Sequence, residues 1–308
     1  MADEPENYNK ILPIRPCPFK NSNLHTMKII LAETAGFCMG VRRAVDTTMS
    51  LVEDGEVNIF TFGPLIHNPQ VLGLLQDQGV NVLSEIPPEI RGTVIIRAHG
   101  IPPSRKRELA EAGATVIDAT CPRVLKVQAI IKKYLEQNCF TIIIGDKNHA
   151  EVNGLLGYAG KQGAVISNED DIENLDLPDP YIIVSQTTQD SNVFNRLSAE
   201  IMARFPGGQV FNTICDSTHK RQDEVRKLCA EVDAMVVVGG KNSANTARLG
   251  DVARSISCPV YVVETEEELN PDEFKEYETV GVTAGASTPT WMIERVINAL
   301  RQNGNDKC

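Results

Sequence analysis

Apolar residues in this chain fall into two recurring patterns. Runs at 59–62, 141–144 and 235–238 are apolar or β-branched at every position, which predicts strands buried on both faces, as in parallel sheets. Segments at 125–136 and 221–231 carry apolar residues at helical spacing with Lys and Arg on the other side. A helix is expected at 41–52 as well. Short apolar strands are expected at 28–32, 115–117 and 209–211, each followed within a few residues by a cysteine. Further strands are expected at 93–97, 181–185 and 280–283, each running into a polar loop. Strand and helix alternate throughout, which implies parallel sheets with right-handed crossovers.

The pattern is a repeat. A shift of 94 residues lays Cys121 on Cys215, Lys126 on Lys220, Gln128 on Gln222 and Gly145 on Gly239. A looser shift of 82 to 83 lays Cys38 on Cys121, Gly63 on Gly145 and His67 on His149. Self-similarity at a fixed period means one supersecondary unit built several times. A period near 90 residues is too long for a solenoid and suits three small α/β lobes about a pseudo-threefold axis. The expected division is lobe 1 at 27–117, lobe 2 at 118–211 and lobe 3 at 212–286, with 287–308 a C-terminal helix and tail packing back on lobe 1. Residues 1–26 are polar and rich in Pro and Asn, and Met27 runs straight into a strand. The first 26 residues are therefore expected to be a disordered tail or a misplaced start.

Composition narrows the function. A net charge of −11 argues against a nucleic-acid partner, because such binding needs a basic surface. No apolar run approaches the roughly 18 residues of a membrane span, so no membrane partner and a cytoplasmic location are expected. The eight cysteines of this long chain do not read as a disulfide framework. Cys139, Cys229 and Cys258 lie within or beside apolar segments and read as core, while Cys17 and Cys308 lie in terminal segments.

Ligands of parallel sheets sit beyond the carboxyl ends of the strands. Those ends offer Cys38, His67 and His99 in the first unit, and Cys121, His149, Glu151 and Thr187 in the second. The third offers Cys215, Ser243, Asn245 and Ser287. Three thiolates at equivalent positions can hold zinc, or three of the four irons of a [4Fe-4S] cluster, or can be small core hydrophobes. The histidines, hydroxyls and amide form a candidate anion cradle, though Ser243 and Asn245 also suit a helix N-cap. Lys147 and Lys241 can steer an anion, cap helix ends or face solvent. Glu151 reads either as a proton donor with a raised pKa or as a solvated acid near a helix start.

Seven motifs in order sharpen the reading. They are Gly36-Phe37-Cys38-Met39-Gly40-Val41, Ala98-His99-Gly100, Asp118-Ala119-Thr120-Cys121-Pro122 and His149-Ala150-Glu151-Val152, then Gln186-Thr187-Thr188, Lys241-Asn242-Ser243-Ala244-Asn245 and Thr283-Ala284-Gly285-Ala286-Ser287. From about residue 27 onward the chain resembles the 4-hydroxy-3-methylbut-2-enyl diphosphate reductases, the last enzymes of the non-mevalonate isoprenoid route. The resemblance implies a central [4Fe-4S] cluster on Cys38, Cys121 and Cys215. It implies diphosphate contacts from His67, His99, Ser243, Asn245 and Ser287, with His149, Thr187 and the proton source Glu151 near the substrate hydroxyl. It also implies reduced ferredoxin or flavodoxin as the electron donor. Ala244 departs from the family, whose members often carry a second Ser there. An iron–sulfur sensor, a three-cysteine zinc hydrolase and a small-molecule binding protein are the competing classes.

Overall fold

The computed structural model describes residues 27–173 and 175–305. The expectation for residues 1–26, and those for Cys17 and Cys308, lie outside them. The chain begins with β1 (Lys28–Leu31) and α1 (Met39–Glu53). Next come β2 (Ile59–Phe62), α2 (Pro69–Asp77), β3 (Asn81–Leu83), β4 (Thr93–Ile96), α3 (Pro103–Glu111) and β5 (Thr115–Asp118). The second stretch is α4 (Pro122–Leu135), β6 (Phe140–Ile144), α5 (Ala150–Ala159), β7 (Gly163–Ile166), α6 (Asp170–Glu173), β8 (Tyr181–Ser185), α7 (Ser191–Arg204) and β9 (Gln209–Val210). The third is α8 (Asp216–Leu228), β10 (Ala234–Val238), α9 (Ala244–Ser255), β11 (Val260–Val263), β12 (Thr279–Ala284) and α10 (Thr290–Asn305).

Three four-stranded sheets result, ordered β3-β2-β4-β5, β7-β6-β8-β9 and β11-β10-β12-β1. Every pairing is parallel. The orders are equivalent, so the sequence repeat is a repeat of architecture. The central strands β6 and β10 are buried almost throughout, as their unbroken apolar runs require. Each sheet carries an apolar cluster on both faces, for example Ile144 and Phe194 on one side of the second sheet with Ile143 and Leu155 on the other. Burying a side chain of that size contributes about 1.5–3 kcal/mol, so each small lobe is held mainly by helices sandwiching its sheet.

Two expectations are corrected. β1 does not join the first lobe: it pairs with β12, Lys28 opposite Thr279 and Leu31 opposite Val282. The strand before each cysteine completes the sheet of the preceding unit, as β5 pairs with β4 and β9 with β8, and β1 does the same around the ring. The C-terminal helix α10, expected to pack back on lobe 1, lies mainly on the third sheet, where Ile293, Val296 and Leu300 join Val236, Val280 and Val282, and it meets the span 27–117 through Ile29 of β1 and through Asn68, whose Nδ2 is 3.4 Å from Met292 Sδ. Its amphipathic stripe covers the face of β12 that β1 and β10 flank, so the helix stays beside the strand that precedes it.

The helices after the cysteines also start earlier than their apolar periodicity suggests. Pro122 and Asp216 already lie in the first turns of α4 and α8. The first turn of α8 is polar because it borders a cavity, not a core, and α4 opens on the same cavity through Arg123 and Val124. On α4 the buried line is Val124, Val127, Gln128 and Ile131, and on α8 it is Thr218, Arg221, Gln222 and Val225. Both lines follow the i, i+3, i+4, i+7 rule of a helix face.

Candidate active site

The three cysteines occupy one structural role. Cys38, Cys121 and Cys215 are the N-cap residues of α1, α4 and α8. Each is pinned by its backbone N–H to the loop after another strand: Cys38 to the Ala286 carbonyl at 3.1 Å, Cys121 to Ala98 at 2.9 Å and Cys215 to Thr187 at 2.9 Å. The three hydrogen bonds are equivalent under the threefold and join all three lobes. All three thiols open on a single cavity of about 710 Å³, counting the solvent at its mouth. Three helix N-termini therefore meet there, each with roughly half a positive charge and unpaired N–H groups. Gly40 makes the meeting possible: a Cβ at that position would stand 2.4 Å from Cys121 Sγ.

The trio is crowded electrostatically. Burial pushes the Cys121 thiol up, the N–H groups of Arg123 and Val124 oppose this, and the neighbouring Cys38 and Cys215 push it up further. A cationic centre would relieve that crowding. Among the described residues, the only trio of His, Cys, Asp or Glu with donor atoms all within 4.8 Å is His67, His99 and His149. At least one pair of cysteine sulfurs is therefore wider apart than that. Thiolates on one tetrahedral zinc lie about 3.8 Å apart, from bonds of about 2.3 Å. Arg221 adds a further sign. It is 5% exposed, donates from Nη2 to the Gly36 carbonyl at 2.6 Å, and keeps a buried Nε with no partner. A buried guanidinium there favours a negatively charged group between the helices.

The polar residues converge on the same cavity. His67, His99, His149, Glu151, Thr187, Ser243, Asn245 and Ser287, all predicted site residues, line it. The imidazoles stack loosely, with centroids 4.6 Å apart for His67 and His99 and 5.3 Å for His99 and His149. Burial lowers the pKa of all three; the Arg97 charge adds to this at each, and neighbouring imidazoles add to it at His99 and His149. His149 falls to about 4. At neutral pH the three are uncharged donors. His149 caps α5 by accepting from the Glu151 N–H through Nδ1 at 3.2 Å, so its ring proton sits on Nε2. Buried His67 Nε2 and His99 Nδ1 have no partner.

Across the cavity, Ser287 Oγ donates to the His67 carbonyl at 3.2 Å and lies 3.4 Å from Ser243 Oγ. Ser243 is also the N-cap of α9, accepting from the Thr246 N–H, so it fills both roles expected of it. Asn245 accepts from the Ala286 N–H at 2.8 Å through Oδ1, which leaves its buried Nδ2 unpartnered. These orphaned buried polar atoms cost stability unless a ligand satisfies them. Ala244 lines the cavity with no hydroxyl to offer.

Glu151 is 2% exposed. Its carboxyl accepts from Thr187 N at 2.6 Å and Thr187 Oγ1 at 2.8 Å. Burial raises its pKa to about 7, against the lowering effect of the two Thr187 bonds. It is thus poised to hold and release a proton near neutrality. Lys147 and Lys241 are withdrawn from the cradle: they pair with Asp171 and Glu268. Arg97, Arg221 and Gly40 were given no role from the sequence. Gly40 lies inside the motif Gly36–Val41 and Arg97 directly precedes Ala98-His99-Gly100, but Arg221 lies in none of the motifs, and no periodicity separates it from surface or core residues.

Fold and site together define a three-lobed α/β protein in which three N-cap thiols, three histidines and a buried acid share one cavity. Residues 29–301 match the family described as LytB protein. The chain belongs to that family. It is 44% identical over 283 residues to the 4-hydroxy-3-methylbut-2-enyl diphosphate reductase of Solidesulfovibrio magneticus, covering 89% of this chain and 99% of that protein. The reductase of the same name from Aquifex aeolicus is 41% identical over 277 residues, covering 89% and 96%. Among solved structures, the Plasmodium falciparum E-1-hydroxy-2-methyl-but-2-enyl-4-diphosphate reductase superposes with a TM-score of 0.84 at 27% identity, over 89% of this chain and 87% of that one. A reductase described as the terminal enzyme of the non-mevalonate pathway gives 0.66 at 41% identity, over 90% and 99%.

Proposed function

We infer that this chain reduces 4-hydroxy-3-methylbut-2-enyl diphosphate, the activity named for its relatives. The reaction breaks the allylic C–O bond, consumes two electrons and two protons, and releases water with isopentenyl or dimethylallyl diphosphate. The observation that carries this reading is the sharing of one cavity by the thiol trio, the anion cradle and a buried acid.

The orphaned donors on His67, His99 and Asn245 support these residues, with Ser243 and Ser287, as the diphosphate cradle. Neutral imidazoles suit the role, since each N–H can donate to a phosphate oxygen. Glu151 holds the proton. Its bond to Thr187 Oγ1 can reverse, so that the carboxyl donates to the hydroxyl and the hydroxyl passes a proton to the substrate oxygen. His149, with its proton on Nε2, adds a donor in the same wall. Cys38, Cys121 and Cys215 would hold a [4Fe-4S] cluster, which when bound supplies single electrons and, at an iron without a protein ligand, a Lewis-acid site for the hydroxyl. The three helix N-termini that meet at these thiols and the buried Arg221 beside them suit a centre of net negative charge. A reduced ferredoxin or flavodoxin is the class of donor that chemistry requires. Thiolate ligands fit a reducing cytoplasm, and no helix among the described residues is long and apolar enough to cross a membrane.

Anaerobic, cluster-loaded protein given the substrate and a chemical reductant tests the reading. Isopentenyl and dimethylallyl diphosphates by mass spectrometry are expected. No product from protein with verified iron and sulfide would overturn it and favour a non-catalytic iron–sulfur protein.

A further inference from the structure

A diphosphate ester carries about three negative charges, and the cradle as built offers mostly neutral donors. Hydroxyls, an amide and uncharged imidazoles bind phosphate oxygens but do not by themselves favour a polyanion over a neutral ligand. The cations nearby are largely committed. Arg123, on the cavity wall, pairs with Asp216, and Arg248 pairs with Asp146 at 2.6 Å. Lys147 and Lys241 are paired as well.

Arg221, on the thiol side, and Arg97 are the exceptions among the described residues, and of the two only Arg97 acts on the histidines. It directly follows β4 and stands two residues before His99. Across the sheet, the register that sets Phe62 opposite Ile96 brings it beside Gly63. The guanidinium lies over that glycine: a Cβ on Gly63 would stand 2.5 Å from Arg97 Nη1 and 3.2 Å from Cζ. Gly63 also has φ +70°, a conformation that favours glycine, so two constraints keep the space clear. Arg97 Nε is buried without a partner, and burial lowers the pKa of the guanidinium with no carboxylate opposing the change. Its charge is felt at His67, His99 and His149 alike, lowering each pKa. A buried cation left without a counter-ion is costly. Here three imidazoles of the anion cradle share its field.

We propose that Arg97 is a positioning residue for the diphosphate: a buried, unpaired cation, seated over Gly63 at the end of β4 next to the cradle, that makes the cavity select a polyanion. The proposal rests on reading this cavity as a diphosphate site. Acting through the field and not through a direct contact, Arg97 supplies the charge balance while the imidazoles offer N–H donors. The attraction grows with ligand charge, so Arg97 separates diphosphates from monophosphates more strongly than any neutral donor does.

The test is calorimetric titration of the cluster-loaded protein and its Arg97→Met and Arg97→Lys variants with inorganic diphosphate and with methyl phosphate, at two salt concentrations. The expected result is at least a tenfold weaker Kd for diphosphate in Arg97→Met, a smaller loss for methyl phosphate, a shallower salt dependence, and recovery of most of the affinity in Arg97→Lys. In turnover the loss falls on KM, with kcat largely kept. Equal losses for both anions, or Lys and Met variants that behave alike, would reduce Arg97 to a packing role and overturn the proposal. Unchanged diphosphate affinity in Arg97→Met, with wild type binding well, overturns it while leaving the diphosphate site standing. Failure of wild type itself to bind diphosphate overturns both.

Discussion

Replacing Glu151 by Gln removes one proton and little else. The amide keeps an oxygen to accept from Thr187 N, now at 2.6 Å from the carboxyl, and its NH₂ can donate to Thr187 Oγ1, which sits at 2.8 Å and can reverse its role. Shape and burial are preserved, so binding and iron content should hold. Loss of a positioned general acid costs about 10²–10⁴ in rate, or about 3–5 kcal/mol of barrier. The pH dependence follows from the carboxyl's pKa of about 7. The acid form predominates below that value and falls about tenfold per pH unit well above it. Wild-type kcat should therefore decline on the alkaline side of about pH 7, and the Gln variant should lack that limb. Stability gives a second readout with its own sign. A carboxyl whose folded pKa is raised favours the fold most below its unfolded pKa of about 4.5, and that advantage is lost as pH rises through about 7. At pH 8 the buried charge costs on the order of 3 kcal/mol, from a shift of about 2.5 units at 1.36 kcal/mol each. Glu151→Gln should then unfold at higher denaturant than wild type at pH 8, with the difference shrinking by pH 5. Anaerobic single-turnover kinetics and urea melts at both pH values make the assay. Wild-type kcat at pH 7 in the Gln variant, or an alkaline limb that survives the substitution, would refute the proton role.

The remaining predictions concern the centre and the cradle. Cys121→Ser should lower bound iron and sulfide sharply while the far-UV circular dichroism stays native; full iron content would overturn its place as a ligand. Gly40→Ala should do the same at a distance, because the added Cβ would fall 2.4 Å from Cys121 Sγ. Overpacking of this kind costs about 1–3 kcal/mol, and a variant with unchanged iron affinity would show that the thiol need not sit there. Ala244→Ser should tighten inorganic diphosphate binding by about 2- to 10-fold, the value of one added hydrogen bond of about 0.5–1.5 kcal/mol, as measured by calorimetry. His149 carries a folded pKa of about 4 against an ordinary 6.5, so its neutral form supports the fold above about pH 6.5 and that support is lost as pH falls toward 4. His149→Asn should flatten the acid side of the stability profile in urea melts.

What the sequence made legible was the local and the periodic. The runs at 141–144 and 235–238 announced buried parallel strands because both faces of β6 and β10 are covered. The cysteines stood out because a repeat places equivalent residues in equivalent geometry. Less legible were facts that depend on partners far along the chain. The segment Lys28–Leu31 reads as a strand, but three apolar residues carry no label for the edge they will join, and it lies against β12. The N-cap role of Cys215 was hidden by the polar first turn of α8, which faces the cavity and so breaks the apolar pattern. Arg97 looked like any arginine at the end of a strand. Its meaning came only from Gly63 across the sheet and from the histidines around it.

The seat of Cys38 has a consequence for how the protein is made. This thiol leaves the ribosome well ahead of the carbonyl that pins its backbone, on Ala286, which follows about 250 residues later. β1 waits equally long for β12. Contacts of such sequence separation form late, because the loop must be closed before they can reward it. The first two sheets, at whose ends the backbones of Cys121 and Cys215 are pinned, can mature while synthesis continues, whereas the ring closes only once β12 is made. The three thiols therefore come together late, and a chain truncated before β12 should fold two lobes yet never bring the thiols into one cavity.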